Sequence, residues 1–131
     1  MGCAAVANLL MVTSAHGATN NVSSLAALQT AINGAAAGDV IVLANGTYIN
    51  NVTLTIGTSG ITVRAATPGG AYLNNILAID ITGNNITLSG FQFTSRTATS
   101  GVIITVSGDH NLLTQLNFDG YSAQKYINLQ G

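Results

Sequence analysis

The sequence predicts an all-β protein built as a single-stranded parallel β-helix, a solenoid in which short strands stack coil upon coil. Three observations lead to this prediction: a 25-residue repeat of apolar positions, short β-rich runs separated by Gly and Asn, and very little charge. A fixed period of roughly 20–50 residues in a strand-rich sequence is typical of solenoids. A β-sandwich also alternates short strands with turns. Because a sandwich does not require aligned columns, we favour the solenoid.

The composition limits the class of protein. The chain has 131 residues, which suits one domain, and 47% of them are hydrophobic, which is enough for a core. Only 5% are charged, and the formal net charge is −1. Nucleic-acid binding needs a basic surface and long exposed helices need Lys and Glu, so the composition argues against both. The single cysteine, Cys3, provides neither a disulfide framework nor a thiolate metal site.

Residues 1–18 are predicted to be a secretory signal peptide or its remnant. The stretch 2–12 is nearly all apolar, and small residues at Ala15 and Gly17 suit a cleavage site. No Lys or Arg precedes the apolar run. The run is also shorter than the roughly 20 residues that a transmembrane helix needs. We therefore expect a secreted or periplasmic protein without a membrane span, whose β-helix domain comprises residues 19–131.

One amphipathic helix is predicted at about 24–33. Ser23 or Ser24 can cap its start, and Gly34 can end it. Its apolar face consists of Leu25, Leu28 and Ile32. We expect this helix to cover the N-terminal end of the solenoid and to protect strand edges there.

The coils are predicted from residue 40 onward. The β-rich runs are 40–43, 52–56, 61–65, 77–81, 86–88, 102–106 and 112–116. A shift of 25 residues aligns Val52 with Leu77, Val102 and Ile127; Leu54 with Ile79, Ile104 and Leu129; Ile56 with Ile81 and Val106; Val63 with Leu88 and Leu113; Ala66 with Phe91 and Leu116; Phe93 with Phe118; and Gly83 with Gly108. Apolar residues two apart in a strand lie on one face. Each coil has room for about three short strands, and the aligned columns predict one continuous core.

The sequence stops within a fourth coil. This coil begins at residues 125–129, and no Pro, charged strand or helix caps it before Gly131. We expect an open strand edge and bare core columns at this end. Either the natural protein continues past Gly131 or a second copy stacks there.

Several stretches resemble one family. Residues 28–48, LQTAINGAAAGDVIVLANGTY, resemble the opening of secreted polysaccharide lyases, most closely the family that holds chondroitinase B and alginate lyases (polysaccharide lyase family six). Similar pieces are 60–69, 86–93 and the coil from Gly108 to Gly120. The resemblance covers about residues 22–130, with one departure at Ala37, where the family usually has Pro.

The resemblance implies a right-handed parallel β-helix and β-elimination on uronate-containing polysaccharides. In that family a cation, typically calcium, neutralises the uronate carboxylate, a lysine removes the C5 proton and an arginine assists. The resemblance also implies that these residues lie in later coils. We map none of them onto this chain, so it has no predicted catalytic or metal-binding residue of its own.

The remaining polar residues make weak candidates. Calcium takes about six to eight oxygens, usually several from carboxylates, whereas the sequence has no Glu and only four scattered Asp. Tyr121, Lys125 and Tyr126 are candidate substrate-binding residues, although aromatic side chains also cover solenoid faces. An ion pair with Asp119 is the alternative for Lys125. Asp39 is expected to accept hydrogen bonds from local backbone amides, and a solvated turn is expected around Asp109.

Two functions are consistent with the sequence. The first is the N-terminal portion of a secreted polysaccharide lyase, inactive by itself, whose full-length form uses calcium on an anionic polysaccharide. The second is a non-catalytic β-helix that binds carbohydrate or stacks on itself through the open C-terminal coil. The low charge favours the second, since a protein that binds an anionic polymer should have a basic groove. Ice binding ranks last, because a regular array of Thr is absent.

Overall fold

The computed structural model describes residues 17–49, 52–74, 78–94, 102–120 and 123–130. In chain order the elements are β1 (Thr19–Val22), α1 (Leu25–Gly34), β2 (Val40–Leu43), β3 (Gly46–Ile49), β4 (Thr53–Ile56), β5 (Thr62–Ala65), β6 (Ala71–Asn74), β7 (Ala78–Ile81), β8 (Thr87–Ser89), β9 (Phe91–Thr94), β10 (Val102–Val106), β11 (Leu112–Thr114), β12 (Asn117–Asp119) and β13 (Lys125–Leu129).

The strands form three parallel sheets that wind together as a β-solenoid. One sheet has five strands in the order β1-β2-β5-β8-β11, and the other two have four, in the orders β13-β10-β7-β4 and β12-β9-β6-β3. Every strand therefore pairs with its equivalent in the next coil, which confirms the predicted parallel β-helix. The inward side chains of all three sheets form one core.

Helix α1 lies over the N-terminal end of the solenoid, against β1, β2 and β4. The Ser24 hydroxyl accepts a hydrogen bond from the Ala27 N–H at 3.0 Å, which caps the first turn. Its apolar face, Leu25, Leu28 and Ile32, is buried. At the other end, the Thr58 hydroxyl donates to the Ile32 carbonyl at 2.8 Å. The helix therefore shields the first coil, as its apolar face predicts, within one residue of the predicted bounds.

The predicted 25-residue columns are correct from β4 to β10 and from β5 to β11. Leu54 pairs with Ile79, and Ile79 with Ile104; all three are at most 3% exposed. In the five-stranded sheet, Leu88 pairs with Val63 and with Leu113. These columns keep a constant step because the total length of a coil is constant there, although the individual connections differ.

The predicted alignment of the last coil is wrong by two residues. Ile104 pairs with Ile127, not with Leu129, and Val106 pairs with Leu129. Likewise Val102 pairs with Lys125, not with Ile127. The physical reason is a shorter connection: residues 120–124 join β12 to β13, whereas residues 95–101 join β9 to β10 one coil earlier.

The third sheet, β3-β6-β9-β12, keeps the 25-residue step from β3 to β6 and from β9 to β12, where Phe93 pairs with Phe118 as predicted. The step changes only between β6 and β9. Phe91 pairs with Ala71, only 20 positions earlier, so the predicted alignment of Phe91 with Ala66 is wrong. Residues 66–70 join β5 to β6, whereas Gly90 alone joins β8 to β9. A second difference compensates for this one: residues 95–101 join β9 to β10, whereas only residues 75–77 join β6 to β7. The total length of the coil is therefore the same. The other two sheets consequently keep their register.

Asp39 fixes the turn that leads into β2. Its carboxylate accepts hydrogen bonds from the backbone N–H groups of Ala36 at 2.9 Å and Ala18 at 2.7 Å. These bonds hold the pKa of Asp39 below its ordinary value of 3.8. The prediction that Asp39 bonds to local backbone amides is confirmed. The same carboxylate also anchors the chain just before β1, a contact 21 positions away.

We expect Asp39→Asn to lower the free energy of unfolding at pH 7 by more than at pH 2. The folded carboxyl has a lower pKa than the unfolded one. Its contribution is therefore fully present above the unfolded pKa and is lost as the pH falls through the folded pKa. Urea unfolding of both proteins at the two pH values measures this difference. Asp109→Asn, in an exposed turn, is the control, and an Asp39→Asn deficit independent of pH would contradict the prediction.

Candidate functional site

Two of the three candidate substrate-binding residues lie on the last strand. Lys125 and Tyr126 are the first residues of β13, and both are exposed. Successive side chains of a strand point to opposite sides, so Lys125 and Tyr126 do not form one binding surface. Tyr121 lies outside the described residues. Asp119 ends β12 and Lys125 begins β13, and both are exposed; the ion pair between them stays a prediction.

Tyr126 ends a stack of aromatic rings. Phe93 and Phe118 are stacked, with ring centroids 4.8 Å apart and an interplanar angle of 12°. Phe118 in turn contacts Tyr126, with centroids 5.0 Å apart and planes at 53°. Phe93 is fully buried, whereas Tyr126 is 44% exposed. Tyr126 therefore covers the core and still presents part of its ring to solvent, which a sugar ring can contact.

The C-terminal end of the solenoid is apolar. Leu112 is 56% exposed, Ile127 is 42% exposed and Leu129 is 75% exposed. Beside them is an open depression of about 260 Å³. It is lined by Val106, Gly108, Asp109, His110, Asn111, Leu113, Leu129 and Gln130. Ile127 and Leu129 continue the inward columns of Ile104 and Val106, so they form the expected bare columns. Leu112 pairs with Thr87 and lies on the outer face of its sheet.

The turn that contains Asp109 and His110 is held by a ladder of side chains. The Asn84 carbonyl oxygen Oδ1 accepts from the Asp109 N–H at 2.7 Å, one coil on. The Asn111 side chain accepts from the Ile86 N–H at 2.8 Å and donates to the Gly83 carbonyl at 3.0 Å. These bonds are structural, and they leave Asp109 and His110 exposed, as the predicted turn requires.

One exposed tyrosine on the third sheet was not among the substrate-binding residues predicted from the sequence. Tyr72 on β6 is 38% exposed. Thr47 and Gln92 flank it in register on β3 and β9, and Asn117 extends the row on β12. This row is a polar outer face with one aromatic side chain. No strand was predicted at 71–74, so no signal in the sequence placed Tyr72 on a sheet.

Arg64 stabilises a corner of the solenoid. Its guanidinium nitrogen Nη1 donates to the carbonyl of Ala65 at 3.0 Å and to that of Ala66 at 3.3 Å. These carbonyls lie at the end of β5 and the start of the connection 66–70. Arg64 therefore has a structural role at that corner, and Arg96, the other arginine, lies outside the described residues.

The carboxylates do not fit the calcium that the family resemblance implies. Across the described ranges, no three His, Cys, Asp or Glu side chains are grouped so as to hold a metal ion. The Asp39 carboxylate is used by two backbone amides. Asp80 pairs in register with Thr55 and Thr105, so no second carboxylate adjoins it in its column. Calcium needs several oxygen ligands around one point, and we derive no catalytic step through it.

The part of the chain that the structure describes also contains no helix long and apolar enough to cross a membrane.

Comparison with known proteins identifies relatives of most of the chain. The family model described as Chondroitinase B matches residues 22–123. Among solved structures, a mutant of the PL6 family alginate lyase AlyGC is similar, with a TM-score of 0.65 and 27% sequence identity. The likeness covers 77% of this chain and 15% of that lyase, so the chain spans a small part of its length. No curated protein matches. Because the matched segment comprises most of the chain and nearly all its coils, the protein belongs to the Chondroitinase B family.

Proposed function

We propose that this chain is the N-terminal, helix-capped portion of a secreted or periplasmic polysaccharide lyase that cleaves uronate-containing polysaccharides by β-elimination. The match of the Chondroitinase B family to residues 22–123 carries this proposal. The likeness to an alginate lyase over 15% of its chain supports it, because a short segment of such an enzyme would have this size.

The proposal assigns the chemistry to coils outside this chain. The base, the assisting arginine and the calcium that neutralises the uronate carboxylate would all belong to those coils. The exposed Ile127 and Leu129, in register with buried Ile104 and Val106, support this assignment. A following coil would bury these side chains, and burial of apolar surface is favourable by about 25 cal/mol per Å².

Within this chain we assign a minor substrate contact to the last coil. The exposed part of the Tyr126 ring can stack on a sugar, and the Lys125 ammonium can attract uronate carboxylates. Tyr121 remains a third candidate on sequence grounds. None of these residues is proposed to take part in proton transfer.

A second candidate function is a non-catalytic module that binds carbohydrate or stacks on itself. Two observations favour it: only 5% of the residues are charged, and the last coil presents an apolar end. A protein of this kind would need no groove for an anionic polymer.

The intact mass of the protein made by its source organism separates the two functions. We expect a product several-fold larger than 13.2 kDa. That protein should form the unsaturated uronate product of β-elimination from alginate or chondroitin, measured by its ultraviolet absorbance, and the 131-residue chain should not. In the active protein, Tyr126→Ala and Lys125→Ala should raise KM and leave kcat unchanged. A product of about this size that lacks lyase activity would instead support the non-catalytic module.

A further inference from the structure

The sequence contains two Asn-Gly pairs, Asn33-Gly34 and Asn45-Gly46. An asparagine that precedes glycine is prone to deamidation, because glycine has no side chain to keep its backbone nitrogen away from the asparagine side chain. Both asparagines are exposed to water. The two pairs share this chemistry and differ in their surroundings, since one closes helix α1 and the other leads into strand β3.

Deamidation consumes only water. The glycine nitrogen loses its proton and forms a bond to the asparagine Cγ, while the bond from Cγ to Nδ2 breaks and ammonia leaves. Water then opens the resulting succinimide ring at either carbonyl, which yields aspartate or isoaspartate. Because the glycine nitrogen must turn toward Cγ, hydrogen bonds that hold either group in place slow the attack.

Asn45 and its glycine are held by the next coil. Asn45 Oδ1 accepts from the Thr67 N–H and from the Thr67 hydroxyl, both at 3.2 Å. The Gly46 N–H, whose nitrogen would attack, donates to the Gly70 carbonyl at 2.9 Å. Gly46 is also the first residue of β3 and pairs in register with Ala71. Attack at Asn45 therefore requires both reacting groups to leave their partners on the neighbouring coil.

Asn33 lies at the end of a helix that is anchored one residue earlier. The Thr58 hydroxyl donates to the Ile32 carbonyl, and Asn33 and Gly34 follow this anchor as the last two residues of α1. Glycine is a poor helix former and helix ends fray, so this turn opens more readily than a strand paired between coils. The space beside Gly34 is open, since a Cβ built there would have no heavy atom within 4 Å.

The Asn33 side chain is bonded to its own helix and not to another coil. Its Oδ1 accepts from Gln29 Nε2 at 2.9 Å, one turn earlier. Gln29 is itself fixed on strand β4, where Nε2 donates to the Thr55 carbonyl and Oε1 accepts from the Thr55 N–H, both at 2.9 Å. Gln29 therefore keeps its place when the Asn33 side chain turns away, and the attack at Asn33 requires no shift of the coils.

We propose that Asn33 is a deamidation site of the folded protein and that the contacts of Asn45 with the next coil protect it. The proposal concerns a covalent modification and does not depend on the proposed lyase function. Isoaspartate at position 33 adds a methylene group to the main chain, which the hydrogen-bond spacing of an α-helix does not accommodate. The modification therefore weakens the last turn of α1, and the protein loses stability as it ages.

The test is the rate of conversion at each asparagine in the full 131-residue chain at mildly alkaline pH. Proteolytic cleavage before Asp39 separates the two sites into different peptides, and mass spectrometry measures the replacement of the side-chain NH2 group by OH. In the folded chain Asn33 should convert at least about ten-fold faster than Asn45, because Asn45 must also break hydrogen bonds to another coil. In concentrated urea the two sites should convert at similar rates, since the dipeptide is the same.

Gly34→Ala is the matched variant. The added methyl group fits the open space beside Gly34, favours the helix and hinders the attack on Asn33. This variant should keep Asn33 unconverted over the time in which wild type converts, and it should leave the rate at Asn45 unchanged. The urea midpoint of wild type should fall during the incubation, whereas that of Gly34→Ala should stay constant.

Three results would overturn the proposal. The first is an equal rate at the two asparagines of the folded chain. The second is an Asn33 that stays unconverted in the folded chain while it converts in urea. The third is conversion at Asn33 that Gly34→Ala does not slow.

Discussion

Ile104→Asp should abolish the folded state. Ile104 is fully buried and lies in the inward column between Ile79 and Ile127. A carboxylate there has neither water nor a partner, and such changes cost more than about 4 kcal/mol. A domain of this size is stable by only about 5–15 kcal/mol. Far-UV circular dichroism at 25 °C should therefore show loss of the strand signal.

The neighbouring residue is the control for this substitution. Thr105 lies on the same strand but points to the outer face and is half-buried. Thr105→Asn should fold and melt within a few degrees of wild type, because it places a polar group where one already exists. A folded Ile104→Asp with wild-type melting would contradict the assignment of this column to the core.

Phe93→Ala should be the most destabilising truncation among the aromatic residues of the stack. Phe93 is fully buried and its ring stacks on Phe118. Phe→Ala in a core costs about 3–5 kcal/mol, from lost burial and the cavity left behind. Urea denaturation should show a lower midpoint with an unchanged slope.

Tyr126→Ala is the comparison at the other end of the same stack. Because Tyr126 is 44% exposed, its truncation removes less buried surface and should cost about 1 kcal/mol. If Phe93→Ala and Tyr126→Ala lowered the free energy of unfolding equally, the last coil would be stabilised by the stack as strongly as the core is. That result would contradict the graded burial of the three rings.

The sequence predicts the strand pairs whose partners lie 25 positions apart and misses the pairs with another step. Leu54, Ile79 and Ile104 recur every 25 positions because the longer and shorter connections between them compensate. Phe91 instead pairs with Ala71, and the change depends on a five-residue corner at 66–70 that a fixed shift cannot detect. Strand β1 is missed because its sequence, TNNV, is largely polar.

The candidate site is less predictable because its contacts are tertiary. The role of Asp39 follows from a local turn, and the sequence predicts it. Gln29 is a single polar residue on a helix, and only the placement of α1 beside β4 gives it a partner 26 positions away. Tyr72 becomes an exposed residue of a polar face only when β3, β6 and β9 are paired. The 25-residue periodicity predicts neither the contact of Gln29 nor the exposed position of Tyr72.

The corner at 66–70 also indicates how such a gene can change in length. Its five residues are pinned to neighbouring coils, since Asn45 Oδ1 accepts from the Thr67 N–H at 3.2 Å and the Gly69 N–H donates to the Gly90 carbonyl at 2.8 Å. The extra length does not shift β7 relative to β4, whose residues still pair 25 positions apart. Small in-frame insertions or deletions at this corner are therefore compatible with an unaltered interior. Homologues should differ in length there before they differ in the columns, and a peptide tag grafted there should lower the melting temperature only by the contribution of the corner's own hydrogen bonds.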